Sequence, residues 1–193
     1  TGPNLIAVHA VHLNADEHAL LAQQGSHIAH SPASNLKLAS GFAPVAEMLE
    51  LGLNVGIGTD GAASNNRLDM FSEIRLAALL AKGVAKDAAV LPAHTALQMA
   101  TLNGARALGL DQHIGSLLPG KCADIIAVDL AQLNTLPCFD PISALVYSAG
   151  RDQVSHVWVN GELRVDNHQF ATLDERTLKI TANVWQSRIQ SST

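Results

Sequence analysis

Three short apolar runs mark the first part of the chain, and each ends close to a polar residue. The runs lie at 5–11, 26–30 and 53–59, and their length and alternation are typical of short strands. Helical patterns follow at 16–24, at 43–51 and again after the third run. Alternating strands and helices imply parallel strands whose carboxyl ends share one edge of a sheet. The pattern therefore predicts an α/β fold that contains three βα units.

Polar and small residues indicate where the first helices begin and end. Asn14 is suited to cap the first helix and Gly25 to end it, and Gly52 is suited to end the second. The segment 31–41, between the second strand and its helix, has the composition of a loop. Within this loop, Lys37 is predicted either to be solvated or to contact an anion.

Three longer segments are predicted to be helical. The segment 92–110 opens with a proline and is apolar enough to be largely buried. The segment 173–189 is expected to close the chain, with Trp185 and Ile189 as docking residues. The segment 68–83 is amphipathic. Its apolar face is predicted to consist of Leu68, Phe71, Ile74, Leu76, Leu79 and Leu80.

The pattern changes to short strands after Gly109. A Pro119-Gly120 turn leads to a predicted strand at 123–129, and the segment 154–165 is predicted to form a hairpin around Asn160-Gly161. Asn-Gly is favoured in two-residue hairpin turns because both positions need a positive φ. This part of the chain is therefore predicted to be antiparallel β structure.

Composition narrows the class of protein. Hydrophobic residues make up 48% of the 193 positions and charged residues 15%, which is typical of a folded chain with a substantial core. The net charge of −5 argues against binding to nucleic acid or to an anionic membrane surface. No apolar run approaches the roughly eighteen residues of a membrane span, and the first residues lack a signal-peptide pattern. With two cysteines too far apart for a CxxC pair, we expect a soluble protein of the reducing cytoplasm.

Three polar residues are expected to meet at the shared edge of the sheet. Asp60 follows the third strand, where a carboxylate is suited to be a metal ligand or a general base. Read locally, an Asp before Gly is more often a turn residue that bonds its own backbone, but the convergence of strand ends favours function. His9 ends the first strand and is the better site candidate of two histidines, with a buried structural role as its equal alternative. His30 ends the second strand and is expected to be a supporting or structural residue.

Three sequence blocks, taken in this order and spacing, resemble one enzyme family. The blocks AVHAVHL at 7–13, AHSPASNLKLASG at 29–41 and GTDGAASNNRLDM at 58–70 are similar to the amidohydrolase superfamily. More narrowly, they resemble its S-adenosylhomocysteine/5-methylthioadenosine deaminases and the related triazine hydrolases. The segments GSLLPGKCADIIAVDL and VSHVWVNGELRV also look like the C-terminal β region of that family.

The resemblance implies an architecture. Residues 1–112 would be strands six to eight, with their helices, of a metal-dependent (β/α) TIM-like barrel. Residues 113–170 would form an antiparallel segment of a β-sandwich whose other strands come from the N-terminus, and 171–193 would form a C-terminal helix. The implied fold class is α/β, the C-terminal portion of a metal-dependent hydrolase barrel with an antiparallel β-sandwich segment.

The resemblance also implies roles for the three polar residues. Asp60 would be a metal ligand, a substrate contact and the base for the catalytic water. His9 would hydrogen-bond that water or the oxygen that develops from it, and His30 would be a further substrate contact. The implied metal is zinc, with iron or manganese as alternatives. The implied reaction removes the amino group of S-adenosylhomocysteine or 5-methylthioadenosine as ammonia.

The residues present are only part of what such an enzyme needs. Members of this family carry a His-x-His on strand one and a His followed three residues later by Glu near strand five, and this sequence contains neither. Because a catalytic zinc takes about three protein ligands, we expect the chain to be a C-terminal half that is inactive alone. It would then be a homo-oligomer or be paired with its N-terminal half. The alternatives are a guanine deaminase or triazine chlorohydrolase within the superfamily, and a metal-free βα binding or assembly module outside it.

Overall fold

Three parallel strands form the first sheet in the computed structural model, which describes residues 1–191. They are hydrogen-bonded in chain order as β1 (Ile6–Val8), β2 (His27–His30) and β3 (Asn54–Ile57). Their common direction confirms the predicted βα arrangement. All three carboxyl ends therefore lie at one edge of the sheet.

The first helix is α1 (Ala15–Gln23), and its ends are as the sequence predicts. The side chain of Asn14 accepts a hydrogen bond from the backbone N–H of Glu17, whose carboxylate accepts one from the N–H of Asn14. This reciprocal capping box satisfies an N–H group that the helix leaves unpaired and fixes its start. Gly25 follows the helix with a φ of +68°, a conformation that glycine adopts without strain.

A helix replaces the loop predicted at 31–41. It is α2 (Pro32–Lys37), and its first residue is a proline, whose fixed φ suits the first turn and whose missing N–H costs nothing there. Ser34 and Asn35, which favour turns locally, are 0% and 3% exposed. The loop prediction was wrong because tertiary burial, which local composition does not register, decides the conformation of this segment.

The next two helices, α3 (Val45–Glu50) and α4 (Met70–Ala85), pack against β3. The predicted leucine face of α4 is wrong in part, since Leu68 and Leu79 are half exposed whereas Ile74 is buried. Small alanine side chains let a helix approach its neighbours closely, which a count of large apolar residues does not predict. The buried residues of α4 are Glu73, Ile74, Ala77, Ala78 and Ala81.

The segment 92–110 is divided into two helices, α5 (Ala93–Met99) and α6 (Leu102–Ala107). Thr101 separates them, with φ −131° and ψ −93°, outside the helical region. The helix α6 lies close to β3. A Cβ atom added at Gly56 of β3 would be only 3.3 Å from the Cα of Gly104 in α6. Glycine at position 56 therefore lets the strand approach the backbone of the helix closely.

The helix α7 (Pro141–Tyr147) was not predicted from the sequence. The carboxylate of Asp140 caps it by accepting hydrogen bonds from the N–H groups of Ile142 and Ser143. The helix packs against α4 and α5. The core of this part of the molecule includes Ile28, Met48, Val55, Ala77, Ala96, Met99 and Val146.

Four antiparallel strands form a second sheet, as the sequence predicts. In order they are β4 (Ile125–Val128), β5 (Val154–Val159), β6 (Glu162–Asp166) and β7 (Gln169–Phe170). The turn between β5 and β6 is Asn160-Gly161, with φ values of +51° and +77°. The predicted hairpin is therefore confirmed, and its turn has the positive φ values that favour this dipeptide.

The last described helix is α8 (Glu175–Gln190). Trp185 and Ile189 are 56% and 65% exposed, so the prediction that they are docked is wrong. The guanidinium of Arg188 instead lies 5.2 Å from the centre of the Trp185 ring. Neither this helix nor any other among residues 1–191 has the length and apolar character that crossing a membrane requires.

The described chain separates into two compact units. One contains Thr1–Lys121 and Leu130–Gln153, and the other contains Cys122–Asp129 and the residues from Val154 onward. The helix α7 thus belongs to the unit of the parallel sheet. The domain boundaries predicted at 112 and 170 do not coincide with these units and stay a prediction.

Candidate metal-binding site

Asp60 and His9 come together at the carboxyl edge of the parallel sheet. His9 follows β1 directly and His30 ends β2, while Asp60 lies in the loop after β3. The Nε2 atom of His9 is 3.7 Å from Oδ2 of Asp60. Parallel strands therefore bring side chains from separate βα units to one place, as expected at this edge of an α/β sheet.

Both residues of this pair have left-handed backbone conformations. The φ angles are +67° at His9 and +60° at Asp60. Such a conformation costs a side-chain-bearing residue roughly 1 to 2 kcal/mol, less for Asp, and it persists where the surroundings fix it. Strained backbone of this kind clusters at binding and catalytic sites.

Three hydrogen bonds hold the carboxylate of Asp60. Its Oδ2 accepts from the hydroxyls of Ser34 at 2.6 Å and Ser64 at 2.8 Å, and its Oδ1 accepts from the backbone N–H of Gly61 at 2.7 Å. Because the Ser34, Ser64 and Gly61 donors all favour the ionised form, they lower the pKa of Asp60 from 3.8 to about 2. Asp60 is therefore an anion at neutral pH, as a metal ligand must be.

The local turn reading of Asp60 accounts for only one of these contacts. The bond from the N–H of Gly61 is the backbone contact that an Asp in a turn makes. Ser34, in contrast, is 26 residues away along the chain and belongs to α2. The carboxylate thus joins two βα units, which a turn residue does not need to do.

His30 is a neutral imidazole in this site. It is 3% exposed. Burial, and to a smaller extent the nearby His9, lower the pKa of His30 to about 4. Its Nδ1 atom has no hydrogen-bond partner among residues 1–191. His30 therefore lies beneath the edge of the sheet, close to His9 but away from solvent.

His9 has one buried and one accessible ring nitrogen. Its Nδ1 atom is buried without a hydrogen-bond partner in the described part of the chain. The separation of 3.7 Å between its Nε2 atom and Asp60 is longer than a hydrogen bond. The imidazole is therefore beside the carboxylate without being bonded to it, and it has capacity for a further polar partner.

Sequence reasoning missed the contacts of Ser34 and Ser64 with Asp60, and it missed the contacts of Lys37 with the loop that carries Asp60. Ser34 was expected only to favour a turn and Ser64 had no assigned role. The signal that could have found Ser34 is its place shortly after the second strand, at the edge shared with Asp60. Lys37 is exposed, as one of its two predicted alternatives expects. Its Nζ atom donates to the carbonyl of Ala63 at 2.7 Å and to the side chain of Asn66 at 2.5 Å. The lysine thus ties α2 to the loop that carries Asp60.

The chemistry of these side chains fits part of a site for a divalent metal. Asp60 offers an ionised carboxylate and His9 an imidazole beside it, and both groups are zinc ligands in proteins. Among residues 1–191, no group of three or more His, Cys, Asp or Glu side chains is arranged to hold a metal ion. Because a catalytic zinc takes three protein ligands, these residues fit as one part of a metal site.

Parallel strands with an ionised carboxylate at their carboxyl edge fit part of a (β/α) barrel, whose active sites lie at that edge. The chain belongs to the amidohydrolase family, whose sequence model matches residues 1–164. The predicted fold class, a portion of a TIM-like barrel with an antiparallel segment, is confirmed by this match and by the solved structures described next.

Individual relatives are similar over most of this chain. It is 49% identical over 182 residues to a 5-methylthioadenosine/S-adenosylhomocysteine deaminase of Teredinibacter turnerae, covering 94% of this chain and 41% of that protein. A zinc-bound adenosine deaminase of Xanthomonas campestris has 48% identity and a TM-score of 0.97, covering 98% and 43%. An atrazine chlorohydrolase of Arthrobacter aurescens TC1 complexed with zinc has 33% identity and a TM-score of 0.86, covering 94% and 40%. The chain thus spans about two fifths of the length of these proteins.

Proposed function

We propose that this chain is part of a metal-dependent aminohydrolase that deaminates adenosine-type thioether nucleosides such as S-adenosylhomocysteine and 5-methylthioadenosine. The observation that carries the proposal is the ionised carboxylate of Asp60, held 3.7 Å from the imidazole of His9 at the carboxyl edge of the sheet. A carboxylate and an imidazole side by side can accept and pass on protons. The names of the similar deaminases support the substrate class, and the zinc in two solved relatives supports the metal.

The proposed reaction exchanges the amino group of the purine for an oxygen atom from water. Water adds to the ring carbon that carries the amine. One of its protons goes to the neighbouring ring nitrogen and the other passes through Asp60 to the departing amine nitrogen. The C–N bond then breaks, which releases ammonia and leaves a ring carbonyl. A bound divalent cation, zinc first with iron or manganese as alternatives, supplies the Lewis acidity that lets water lose a proton near neutral pH. The product is an inosine-type nucleoside.

The low pKa of Asp60 suits this sequence of proton transfers. With a pKa of about 2, the carboxylate stays ionised and can hold a cation throughout the physiological range. Such a carboxylate is a weak base, so it takes a proton only from an acidified water. Once protonated, it is a strong acid and gives the proton readily to an amine nitrogen. We therefore assign Asp60 as ligand, base and then acid.

His9 and His30 have different parts in the proposal. The Nε2 atom of His9 lies beside Asp60 without bonding to it, so it can hydrogen-bond the attacking water or the oxygen that develops from it. His30 was expected from the resemblance to be a substrate contact. Its burial at 3% exposure favours a supporting place beneath His9 instead.

The remaining metal ligands are proposed to come from outside these 193 residues. Asp60 supplies one ligand, and a catalytic zinc takes about three protein ligands with one open position. The similar proteins are longer than this chain, which covers 41% of the Teredinibacter turnerae deaminase. The homo-oligomeric state and the cytoplasmic location stay predictions.

The test is a product assay on the full-length protein with four substrates: 5-methylthioadenosine, S-adenosylhomocysteine, guanine and a chlorotriazine. The proposal expects ammonia from the two nucleosides at a kcat/KM at least about 10⁴ M⁻¹s⁻¹, the lower range for enzymes on their own substrates. Chloride from the triazine without ammonia from the nucleosides would overturn it. That result would favour a chlorohydrolase, the activity named for the relative of 33% identity. Ammonia from guanine alone would favour a guanine deaminase.

A metal-free binding or assembly module is the alternative from another class. It is tested by measuring the metal content of the purified full-length protein together with its turnover. The proposal expects stoichiometric divalent metal that is lost together with activity on dialysis against a chelator. Absence of metal from a protein that still binds the nucleosides would support the module.

A further inference from the structure

Glu73 is a buried carboxylate that the proposed reaction does not use. It lies in the first turn of α4 and is 1% exposed. Burial, its largest influence, raises the pKa of Glu73 above its ordinary value. An apolar side chain at this position would avoid the cost of burying a carboxylate. The hydrogen bonds of Glu73 are therefore expected to explain why a carboxylate is buried here.

One oxygen of Glu73 holds the start of α2. Its Oε2 atom accepts a hydrogen bond from the backbone N–H of Ala33 at 3.1 Å, across 40 residues of sequence. The next residue, Ser34, donates its hydroxyl to Asp60 at 2.6 Å. Fixing the backbone of Ala33 therefore fixes the position from which Ser34 reaches the site.

The other oxygen of Glu73 holds the loop after β3. Its Oε1 atom accepts from the side-chain amide of Asn65 at 2.7 Å. The same amide donates to the carbonyl of Thr59 at 2.9 Å, the residue before Asp60. The residue before Asn65 is Ser64, whose hydroxyl donates to Asp60 at 2.8 Å. The loop is therefore held on both sides of the catalytic carboxylate.

We propose that Glu73 is a positioning residue for Asp60. Its carboxylate clamps α2 and the loop after β3 so that the hydroxyls of Ser34 and Ser64 meet on one oxygen of Asp60. The inference deepens the proposed function and rests on it, because it takes Asp60 to be the metal ligand. It concerns the neighbours of Asp60 and assigns Glu73 no contact with substrate or metal.

The clamp requires an acceptor at both oxygens of the side chain. In Glu73→Gln the shape is kept, but the amide NH₂ must face either the N–H of Ala33 or the amide of Asn65. Asn65 cannot easily turn its amide, because its Oδ1 already accepts from the N–H groups of Arg67 and Leu68. The variant therefore loses its hydrogen bond to either Ala33 or Asn65. We expect the hydroxyl next to the lost contact, that of Ser34 or Ser64, to be held less firmly against Asp60.

The test compares Glu73→Gln with the wild type in the full-length, zinc-loaded protein. The rate at which zinc passes to a chelator and the kcat and KM for 5-methylthioadenosine are both measured. Substitution of residues that orient a metal ligand typically costs about 10- to 100-fold in metal affinity or activity. We expect zinc loss to quicken and kcat to fall by factors in that range, with KM changed by less than about threefold because Glu73 does not touch substrate.

Lys82→Met is the matched control. Lys82 is on the same helix, and its Nζ donates to the carbonyls of Ala88, Val90 and Leu91 at the other end. The variant is expected to lower the midpoint of thermal unfolding and to leave zinc loss and kcat unchanged. If Lys82→Met quickened zinc loss as much as Glu73→Gln, or if Glu73→Gln kept wild-type zinc loss and kcat, the positioning role would be overturned.

Two other results, an inactive wild type and a variant that does not fold, can be distinguished from failure of the positioning role. If the wild type held zinc but deaminated no nucleoside, the proposed function would fail, and the chelator rates would still decide the role of Glu73. If Glu73→Gln did not fold, Asn65→Ala takes its place. That variant breaks the link to the loop and keeps the bond between Glu73 and Ala33. It is expected to quicken zinc loss in the same way, and wild-type zinc retention in it would overturn the inference.

Discussion

The hydroxyl of Ser34 lies 2.6 Å from Oδ2 of Asp60, although 26 residues separate them along the chain. This hydrogen bond joins α2, which follows the second strand, to the loop that follows the third. Because a hydroxyl donor stabilises the ionised carboxylate, a residue of one βα unit lowers the pKa of a carboxyl group in the next. The chemistry of Asp60 therefore depends on how the units pack.

Replacing Ser34 by alanine is predicted to raise the pKa of Asp60 from about 2 towards its ordinary 3.8, with Ser64 and Gly61 still holding it below that value. The folded-state pKa lies below the unfolded one, so the stabilisation from Asp60 is present above about pH 3.8 and is lost as pH falls towards 2. In Ser34→Ala this stabilisation should be smaller, and it should be lost at a higher pH than in the wild type. An NMR titration of the Asp60 carboxyl carbon in metal-free protein measures the shift.

The control for that titration is Ser143→Ala. The Ser143 hydroxyl donates to Asp140, a second carboxylate whose pKa is lowered by such a bond. This variant should raise the pKa of Asp140 and leave the pKa of Asp60 unchanged. An unaltered titration of Asp60 in Ser34→Ala would contradict the account of its acidity given above.

Asp60→Asn is predicted to reduce kcat for nucleoside deamination by at least about 100-fold, since a positioned acid or base contributes 10²- to 10⁴-fold. Zinc content should fall in the same variant, because a neutral amide is a poor metal ligand. Ammonia release and metal analysis on full-length protein provide the measurement. Asp140→Asn, which changes another carboxylate of lowered pKa, should retain both zinc and turnover. Undiminished activity in Asp60→Asn would remove its catalytic role.

Glu73 is predicted to make the stability of the wild type fall with rising pH relative to Glu73→Gln. Burial raises the folded-state pKa of Glu73 above the ordinary 4.5. The contribution is therefore fully present below about pH 4.5 and is lost as pH rises through the folded-state pKa. Urea unfolding of both proteins from pH 4 to pH 8 gives the difference in unfolding free energy. Parallel curves over that range would show that Glu73 does not titrate as its burial requires.

Gly115→Ala is predicted to destabilise the protein by about 2 to 3 kcal/mol, from overpacking and a left-handed backbone together. The φ of Gly115 is +85°, and a Cβ atom there would be 2.7 Å from the Cβ of Ala105. Gly83→Ala is the contrasting variant, because Gly83 lies in α4 with nothing within 4 Å of an added Cβ. It should stabilise the protein by about 0.5 to 1 kcal/mol. Denaturant unfolding of both variants checks the opposite signs.

The strands and the hairpin could be predicted because their signals are local. Short apolar runs mark β1 to β3, and Asn160-Gly161 supplies the positive φ values of the hairpin turn. The conformation of α2 could not be predicted in the same way. Ser34 and Asn35 prefer turns in isolation, and only their burial beneath other elements makes a helix of the segment. The burial of the alanines of α4 was likewise not predicted, because the leucines on the same helix are more hydrophobic and were expected to form the buried face.

The site was predicted only at the ends of strands. Asp60 and His9 could be paired in advance because parallel strands bring their carboxyl ends together. The contacts of Ser34 and Glu73 depend instead on side chains that meet across 26 and 40 residues of sequence. Neither composition nor periodicity records such a pairing. Tertiary packing brings these side chains close enough to their partners to form hydrogen bonds.

The hydrogen bonds of Asp60 also fix how many more partners its carboxylate can take. The two oxygens of a carboxylate offer about four lone pairs. Among the described residues, Ser34 and Ser64 occupy both lone pairs of Oδ2, and Gly61 occupies one of Oδ1. A single lone pair on Oδ1 is left for a cation or a proton. Because the proposed roles of ligand and base need two lone pairs, one of these three hydrogen bonds has to break when Asp60 takes up a proton beside a bound cation.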